Sequence, residues 1–276
     1  MRAMTESVTL PQYTLGSGGV EQERLRRQAD DLRPRSEELF ARLGVQPGWN
    51  TLDLGCGPAG NLDLLACLTA PGGHVTGVDV NPDHARLAGD FAAARGLGNV
   101  TVRCADARAT GLPAGSFDLV YARLLLINIP WPGDVVAEMA RLARPGGWVA
   151  GEEADAICIC DPPHEAWDRL AALLRQAWQL ADADLGMGRR VAALYRDAGL
   201  TDVGTRVYAD LHPAGHRRRM IVPDLVRSLR PRILAAGLLT GRELDDLDRA
   251  ARAHIEAPGT VMLPMLYFTT WGRKPG

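Results

Sequence analysis

Three acidic residues stand out by position: Asp53, Asp79 and Asp106, each at or just beyond the end of a short apolar run. Between the first two lies Gly55-Cys-Gly-Pro-Ala-Gly60. Glycine tolerates positive φ and lets the backbone approach a ligand closely. A helix that follows such a turn aims its unpaired N–H groups into it. That arrangement binds nucleotides. The G-x-G-x-x-G spacing, with an acid about twenty residues on, is also the dinucleotide fingerprint, so an NAD(P)-dependent oxidoreductase is one reading. Asp53 argues the other way. A carboxylate directly before the glycines repels a pyrophosphate, whereas it suits a zwitterionic amino acid beside a sulfonium. Asp106, within Ala105-Asp106-Ala107, can accept from an adenine amino group.

Residues so placed need strands behind them and helices after them. Asn50–Leu54, His74–Asp79, Val100–Cys104, Phe117–Arg123 and Trp148–Glu153 read as strands, with Arg144-Pro-Gly-Gly147 as a turn before the last. Asn61–Leu68, Pro82–Arg95 and Asp134–Ala143 read as the helices between them, Pro82 at a first helical position. The alternation predicts right-handed βαβ units and a doubly wound parallel sheet. Further on, Glu165–Leu180 and Arg189–Ala198 are helical and Asp202–Tyr208 is a strand. Residues 212–257 form a helical insertion of two pieces, the second opened by the capping box Thr240-Gly-Arg-Glu243, before a final strand over Thr260–Trp271. In front, residues 1–45 form an arm. A Gly16–Gly19 joint leads to a charged helix over Val20–Leu32, Pro34 interrupts it, and a second piece, Ser36–Leu43, ends at Gly44. That section is too polar for a core helix and reads as a lid over the single domain 46–276.

Composition narrows the class. The 276 residues are 46% hydrophobic and 23% charged, with net charge −2 and a pI near 6.3. Nothing there attracts nucleic acid or an anionic membrane. No apolar run reaches the roughly 18 residues of a membrane span, and Met1–Leu15 lacks the apolar core of a signal peptide. Cys56, Cys67, Cys104, Cys158 and Cys160 are odd in number and sit mostly in apolar runs, which predicts reduced thiols and a cytoplasmic protein. Cys158-Ile-Cys160 has no second His/Cys cluster to complete a metal site, so no metal is expected.

With Leu52-Asp-Leu-Gly-Cys-Gly57, Gly77-Val-Asp79, Asp106-Ala107, Ser116-Phe-Asp-Leu-Val120 and Arg144-Pro-Gly-Gly147 in this order, the chain resembles the class I S-adenosylmethionine-dependent methyltransferases. Within them it is similar to small-molecule enzymes of bacterial, especially actinobacterial, secondary metabolism, from about Tyr13 to Arg273. The resemblance implies an α/β, Rossmann-like sheet of seven strands, the last antiparallel and inserted between the fifth and sixth. It implies S-adenosylmethionine as cofactor and S-adenosylhomocysteine as product. Asp53, Gly55, Cys56 and Gly57 would surround the methionine part, and Asp79 would take the ribose hydroxyls. Val80 would flank the adenine, Asp106 and the Ala107 N–H would read its amino edge, and Arg123 and Leu124 would floor the pocket. Tyr13, in Tyr13-Thr-Leu-Gly16, and Gln28 are implied to close over cofactor and acceptor. A catalytically silent cofactor-binding regulatory subunit is a further alternative.

Methyl transfer from a sulfonium needs alignment above all, and a base only where the acceptor loses a proton. Two residues are candidates for catalysis. Tyr13 could set its ring against the sulfonium. His254 could serve as a base, although its register with Leu244, Leu247 and Ala251 favours core packing. Arg217-Arg-Arg219, on a loop beside His212 and His216, reads as a solvated face, with an acceptor-binding patch as the alternative. Asp161-Pro-Pro-His164 resembles an amino-methylation motif but follows the wrong strand. The acceptor pocket is assigned to Ile127, Asn128, Ile129, Trp131, Ile157, Met220, Ile221 and Leu225, which predicts a small, largely apolar acceptor and no nucleic-acid or membrane partner. The arm could also swap onto a second copy and make a homo-oligomer.

Overall fold

The structure, a computed structural model, describes residues 19–276 other than Ala59, with side chains from Arg24 onward. After helix α1 (Gly19–Leu43) the chain alternates as its hydrophobic pattern dictates: β1 (Asn50–Leu54), α2 (Leu62–Thr69), β2 (His74–Asp79), α3 (Pro82–Ala94), β3 (Val100–Cys104), β4 (Phe117–Arg123), α4 (Pro132–Leu142) and β5 (Ala143–Asp155). Near-continuous burial along β1, β2 and β4 is what a parallel sheet covered on both faces requires. Asn81 caps α3 by accepting from the Asp83 and His84 amides, with Pro82 at the first helical position.

The second half supplies β6 (Ile159–Asp161), α5 (Glu165–Gln179), α6 (Val191–Asp197), β7 (Thr201–Tyr208), α7 (Ile221–Ser228), α8 (Arg230–Ala235), α9 (Gly241–Glu256), β8 (Val261–Leu263) and β9 (Leu266–Arg273). The main sheet has seven strands in the order β3-β2-β1-β4-β5-β9-β7. β1 pairs in parallel with both β2 and β4, so the winding reverses between them. Ligands of open α/β sheets bind at that switch point, outside the carboxyl ends of the strands. β9 runs antiparallel to both β5 and β7, between them, as the resemblance implied.

Five sequence expectations are corrected. From Gly19 to Leu43 the arm is one continuous helix through Pro34 rather than two pieces. It is not merely a polar lid either, because Leu32, Ser36, Leu39 and Phe40 are all at most 2% exposed. A proline inside a helix costs roughly 3 kcal/mol, and burial of two leucines and a phenylalanine offsets that. The final strand is broken at Pro264 into β8 and β9, and β8 pairs with β6 in a separate two-stranded sheet. Proline cannot donate to a ladder, so the break falls where the chain changes sheets. The 212–257 insertion holds three α-helices and a preceding 3-10 turn, Arg217–Met220, rather than two pieces. Finally, the Arg144–Gly147 turn lies within the span of β5, with Gly146 at φ 71°.

Candidate active site

The glycine turn is built by backbone requirements. Gly55, Gly57 and Gly60 all have positive φ, at 72°, 59° and 51°. A Cβ on Gly60 would lie 2.5 Å from Asp53 Oδ2, so that glycine makes room for the carboxylate. A Cβ on Gly57 would meet nothing within 4 Å; its side faces open space. Asp53 is 2% exposed, and its Oδ2 accepts from the Asn61 amide at 2.9 Å, at the mouth of α2. The carboxylate therefore also braces the helix it precedes. Burial pushes its pKa up to about 6, against the Asn61 N–H and nearby Arg123, which pull it down.

Asp79 closes the other side of the turn. Its Oδ2 accepts from Gly57 N at 2.8 Å and its Oδ1 from Asn81 N at 2.9 Å. A carboxylate has about four acceptor positions, so two remain for a vicinal diol. Asp106 is less free. Arg108 grips it through Nε at 3.1 Å and Nη2 at 2.6 Å, holding its carboxyl below the ordinary range. The same guanidinium lies 4.6 Å over the Trp131 ring. An incoming adenine amino group would compete with this fork.

Beneath the turn runs a buried polar network. Glu152 Oε1 accepts from Ser36 Oγ and Tyr121 OH, both at 2.5 Å. Asn61 Nδ2 donates to Tyr121 OH, and Arg123 Nη1 donates to Ser36 Oγ and Asn61 Oδ1. This ties α1, β4 and β5 to the start of α2. The neighbouring Glu153 accepts from three successive amides, Leu125, Leu126 and Ile127, at 2.7–3.2 Å. Burial raises its pKa to about 8 although those donors pull it down. These bonds hold the segment after β4, where Leu124 sits at φ 51°. A branched residue there costs about 1–2 kcal/mol.

One cavity of about 830 Å³ joins the glycine turn, the three acids and the segment after β4. The donor-side candidates Gln28, Asp53, Gly55, Cys56, Gly57, Asp79, Val80, Asp106, Ala107, Arg123 and Leu124 all line it, and Gln28 Oε1 accepts from Arg24. On the acceptor side Ile127, Asn128, Ile129, Trp131, Ile221 and Leu225 line it, joined by Trp178, Met265 and Tyr267, which sequence reasoning missed. Three candidates stand elsewhere. Ile157 and Met220 do not line the cavity, and Ile157 is 38% exposed. His254 is also outside; it stacks on His164 at 4.3 Å and its Nε2 meets Pro162 O, so it is no base for this site. Tyr13 lies outside the described residues.

Of the Arg217–Arg219 run only Arg217 is exposed, so the run is not a solvated face as a whole. Arg218 and Arg219 are 7% and 1% exposed, Arg219 holds the carbonyls of Ile255 and Thr260, and Arg217 and Arg218 line the cavity. Asp118 is structural, accepting from Asn50 N and Arg144 Nε. Asp161–His164 joins β6 to α5, where His164 Nδ1 accepts from Ala166 N. Among the described residues no group of three or more His, Cys, Asp or Glu could hold a metal ion, and no helix is long and apolar enough to cross a membrane.

Comparison with known proteins points the same way. The family model described as a methyltransferase domain matches residues 52–151. Nocamycin O-methyltransferase of Saccharothrix syringae is 40% identical over 42% of this chain and 41% of its own length. A demethylmenaquinone methyltransferase of Geobacillus kaustophilus is 36% identical over 40% of this chain and 47% of its own. The chain thus spans less than half the length of these relatives. The crystal structure of a putative methyltransferase from Bacillus halodurans shares the fold over 87% of this chain and 98% of that one, with TM-score 0.60 and 17% identity.

Proposed function

We propose that this chain, which carries a class I S-adenosylmethionine-dependent methyltransferase domain, moves a methyl group from that donor to a small molecule. The observation that carries the proposal is that one cavity joins the glycine turn and its three acids to an apolar wall of Ile127, Trp131, Ile221, Leu225 and Met265. The residues fit the donor. Asp79 keeps two acceptor positions for the ribose diol, Asp53 offers a buried carboxylate to the ammonium, and Gly57 leaves open space above the turn. The alternative oxidoreductase fits less well: Asp53 opposes a pyrophosphate, and an antiparallel strand within the sheet departs from the dinucleotide-binding order.

Bound there, the donor supplies an electrophilic methyl on a sulfonium. The protein's share is placement, and orientation contributes roughly 7–11 kcal/mol in such reactions. Asp53, Asp79 and Asp106 would hold the donor at three points, the Leu124 turn would floor it, and the apolar wall would exclude water and orient the acceptor towards it. In this reading Tyr13 and Gln28 close over the two, the arm serves its own subunit or a neighbour, the setting is natural-product biosynthesis and the protein is cytoplasmic.

The test is transfer of label from methyl-labelled donor into small hydrophobic metabolites, RNA, DNA and protein in parallel. Labelling of the small molecules is the expected result. Preference for a macromolecule would overturn it, and tight donor binding with no product from any class would favour the silent subunit.

A further inference from the structure

The apolar end of the cavity holds a cation that its surroundings do not fully use. Arg218, 7% exposed, reaches from the 3-10 turn before α7 and lines the cavity. Its Nη1 donates to Asp31 Oδ2 on α1 and its Nη2 to Tyr267 OH on β9, at 3.2 and 2.7 Å. Its Nε is buried with no partner. Arg217 donates to the same Asp31, so two guanidiniums share one carboxylate. Tyr267, 6% exposed and also lining the cavity, accepts from Arg218, which leaves its own hydroxyl hydrogen to donate.

A buried donor without a partner is costly, more so when charged, and a guanidinium presents a planar fork that matches an oxyanion. Two guanidiniums against one carboxylate, an unpartnered Nε and an available phenol hydrogen come together at Arg218 and Tyr267, which line the cavity near the apolar side chains of Ile221, Leu225 and Met265. We infer that Arg218 and Tyr267 form an oxyanion-binding subsite, and that the acceptor is an apolar small molecule carrying one acidic oxygen group, a carboxylate or an acidic enol or phenol. This rests on the acceptor sharing the cavity with the methyl donor, as proposed above. Asp31 then acts as the resident counter-ion with which the acceptor's oxygen competes.

The experiment measures binding of matched acid and neutral probes, 1-naphthoate against 1-naphthamide and decanoate against decanamide, with 1-naphthol as the phenol arm. Each is titrated with and without saturating S-adenosylhomocysteine. On the wild type at least one acid binds about tenfold or more tightly than its neutral partner. Naphthol outperforming naphthoate identifies the enol or phenol source, and the reverse identifies the carboxylate. Arg218→Gln removes the preference, and Tyr267→Phe, which keeps the ring, reduces it about threefold or more. Asp31→Asn removes the competitor and tightens the acids without tightening the amides, an opposite sign that mere loosening of α1 does not produce. Equal binding of acidic and neutral probes, or a preference that survives both Arg218→Gln and Tyr267→Phe, overturns the inference. Failure of S-adenosylhomocysteine to bind strikes instead at the donor reading, while the acid preference is still read without it.

Discussion

The glycine turn with its three acids and the acceptor side of the cavity are assembled over very different distances along the chain. On the donor side Asp53 meets Asn61 eight residues on, Asp79 meets Gly57 across 22 positions, and Arg108 grips Asp106 two residues away. On the acceptor side Arg218 reaches Asp31 across 187 positions and Tyr267 across 49. Local assembly lets the donor half recur as a recognisable unit, and the family match covers residues 52–151. Long-range assembly lets the acceptor half change with each helix packed over it. Under the proposed function the same line divides the roles, the local half holding the donor and the distant half the acceptor.

The sharpest break in that comparison is Asp79→Ala. Losing a carboxylate that holds both the turn and a diol lowers donor affinity about a hundredfold or more, as two charge-assisted bonds would. Calorimetry with S-adenosylhomocysteine checks it, and binding of apolar probes to the other half should barely change. Next comes a pair of glycines. Gly60→Ala puts a Cβ against Asp53 Oδ2 and the Cys56 carbonyl as well as straining φ, and costs about 2–4 kcal/mol. Gly57→Ala meets no atom within 4 Å and costs only about 1–2 kcal/mol. Denaturant unfolding orders the two, and the reverse order would contradict the brace assigned to Gly60.

Smaller still is a pH effect. Asp53 is protonated below its pKa of about 6 and ionised above it, and only the ionised form attracts the donor's ammonium. Donor affinity therefore rises about tenfold from pH 5 to pH 7, a slope that Asp53→Asn flattens. The stability sign is opposite. Burial raises this carboxyl above its unfolded value of 3.8, so its contribution favours folding at low pH and declines as pH climbs from there through about 6. The smallest effect belongs to Arg108→Ala. Freeing Asp106 from a partly exposed fork tightens the donor about two- to threefold, and weaker binding would mean that Arg108 itself supports the adenine.

The same contrast explains what could be read beforehand. β1, β2, β3 and β4 fall at their expected bounds, because each is a short strand-forming stretch stopped by a turn, and the three acids follow from their places at strand ends. Pro34 misled because helix packing outweighed a local penalty, with Leu39 and Phe40 buried on the far side of it. Arg217–Arg219 looked solvated because Asp31, Tyr267 and Thr260, which draw the run inward, lie 41 to 187 positions away. His254 shared the apolar register of α9, yet that face meets His164 and Pro162 instead of the cavity. Glu153 gave no local signal at all; its role appears only once β5 lies beside the segment after β4.

The account stands most directly on which nucleotide the glycine turn accepts. Side-by-side calorimetric titration of the intact chain with S-adenosylmethionine and with NAD+ reads this in one experiment. The account predicts one S-adenosylmethionine bound per chain and no measurable heat from NAD+. Saturable binding of NAD+ without binding of S-adenosylmethionine would contradict it.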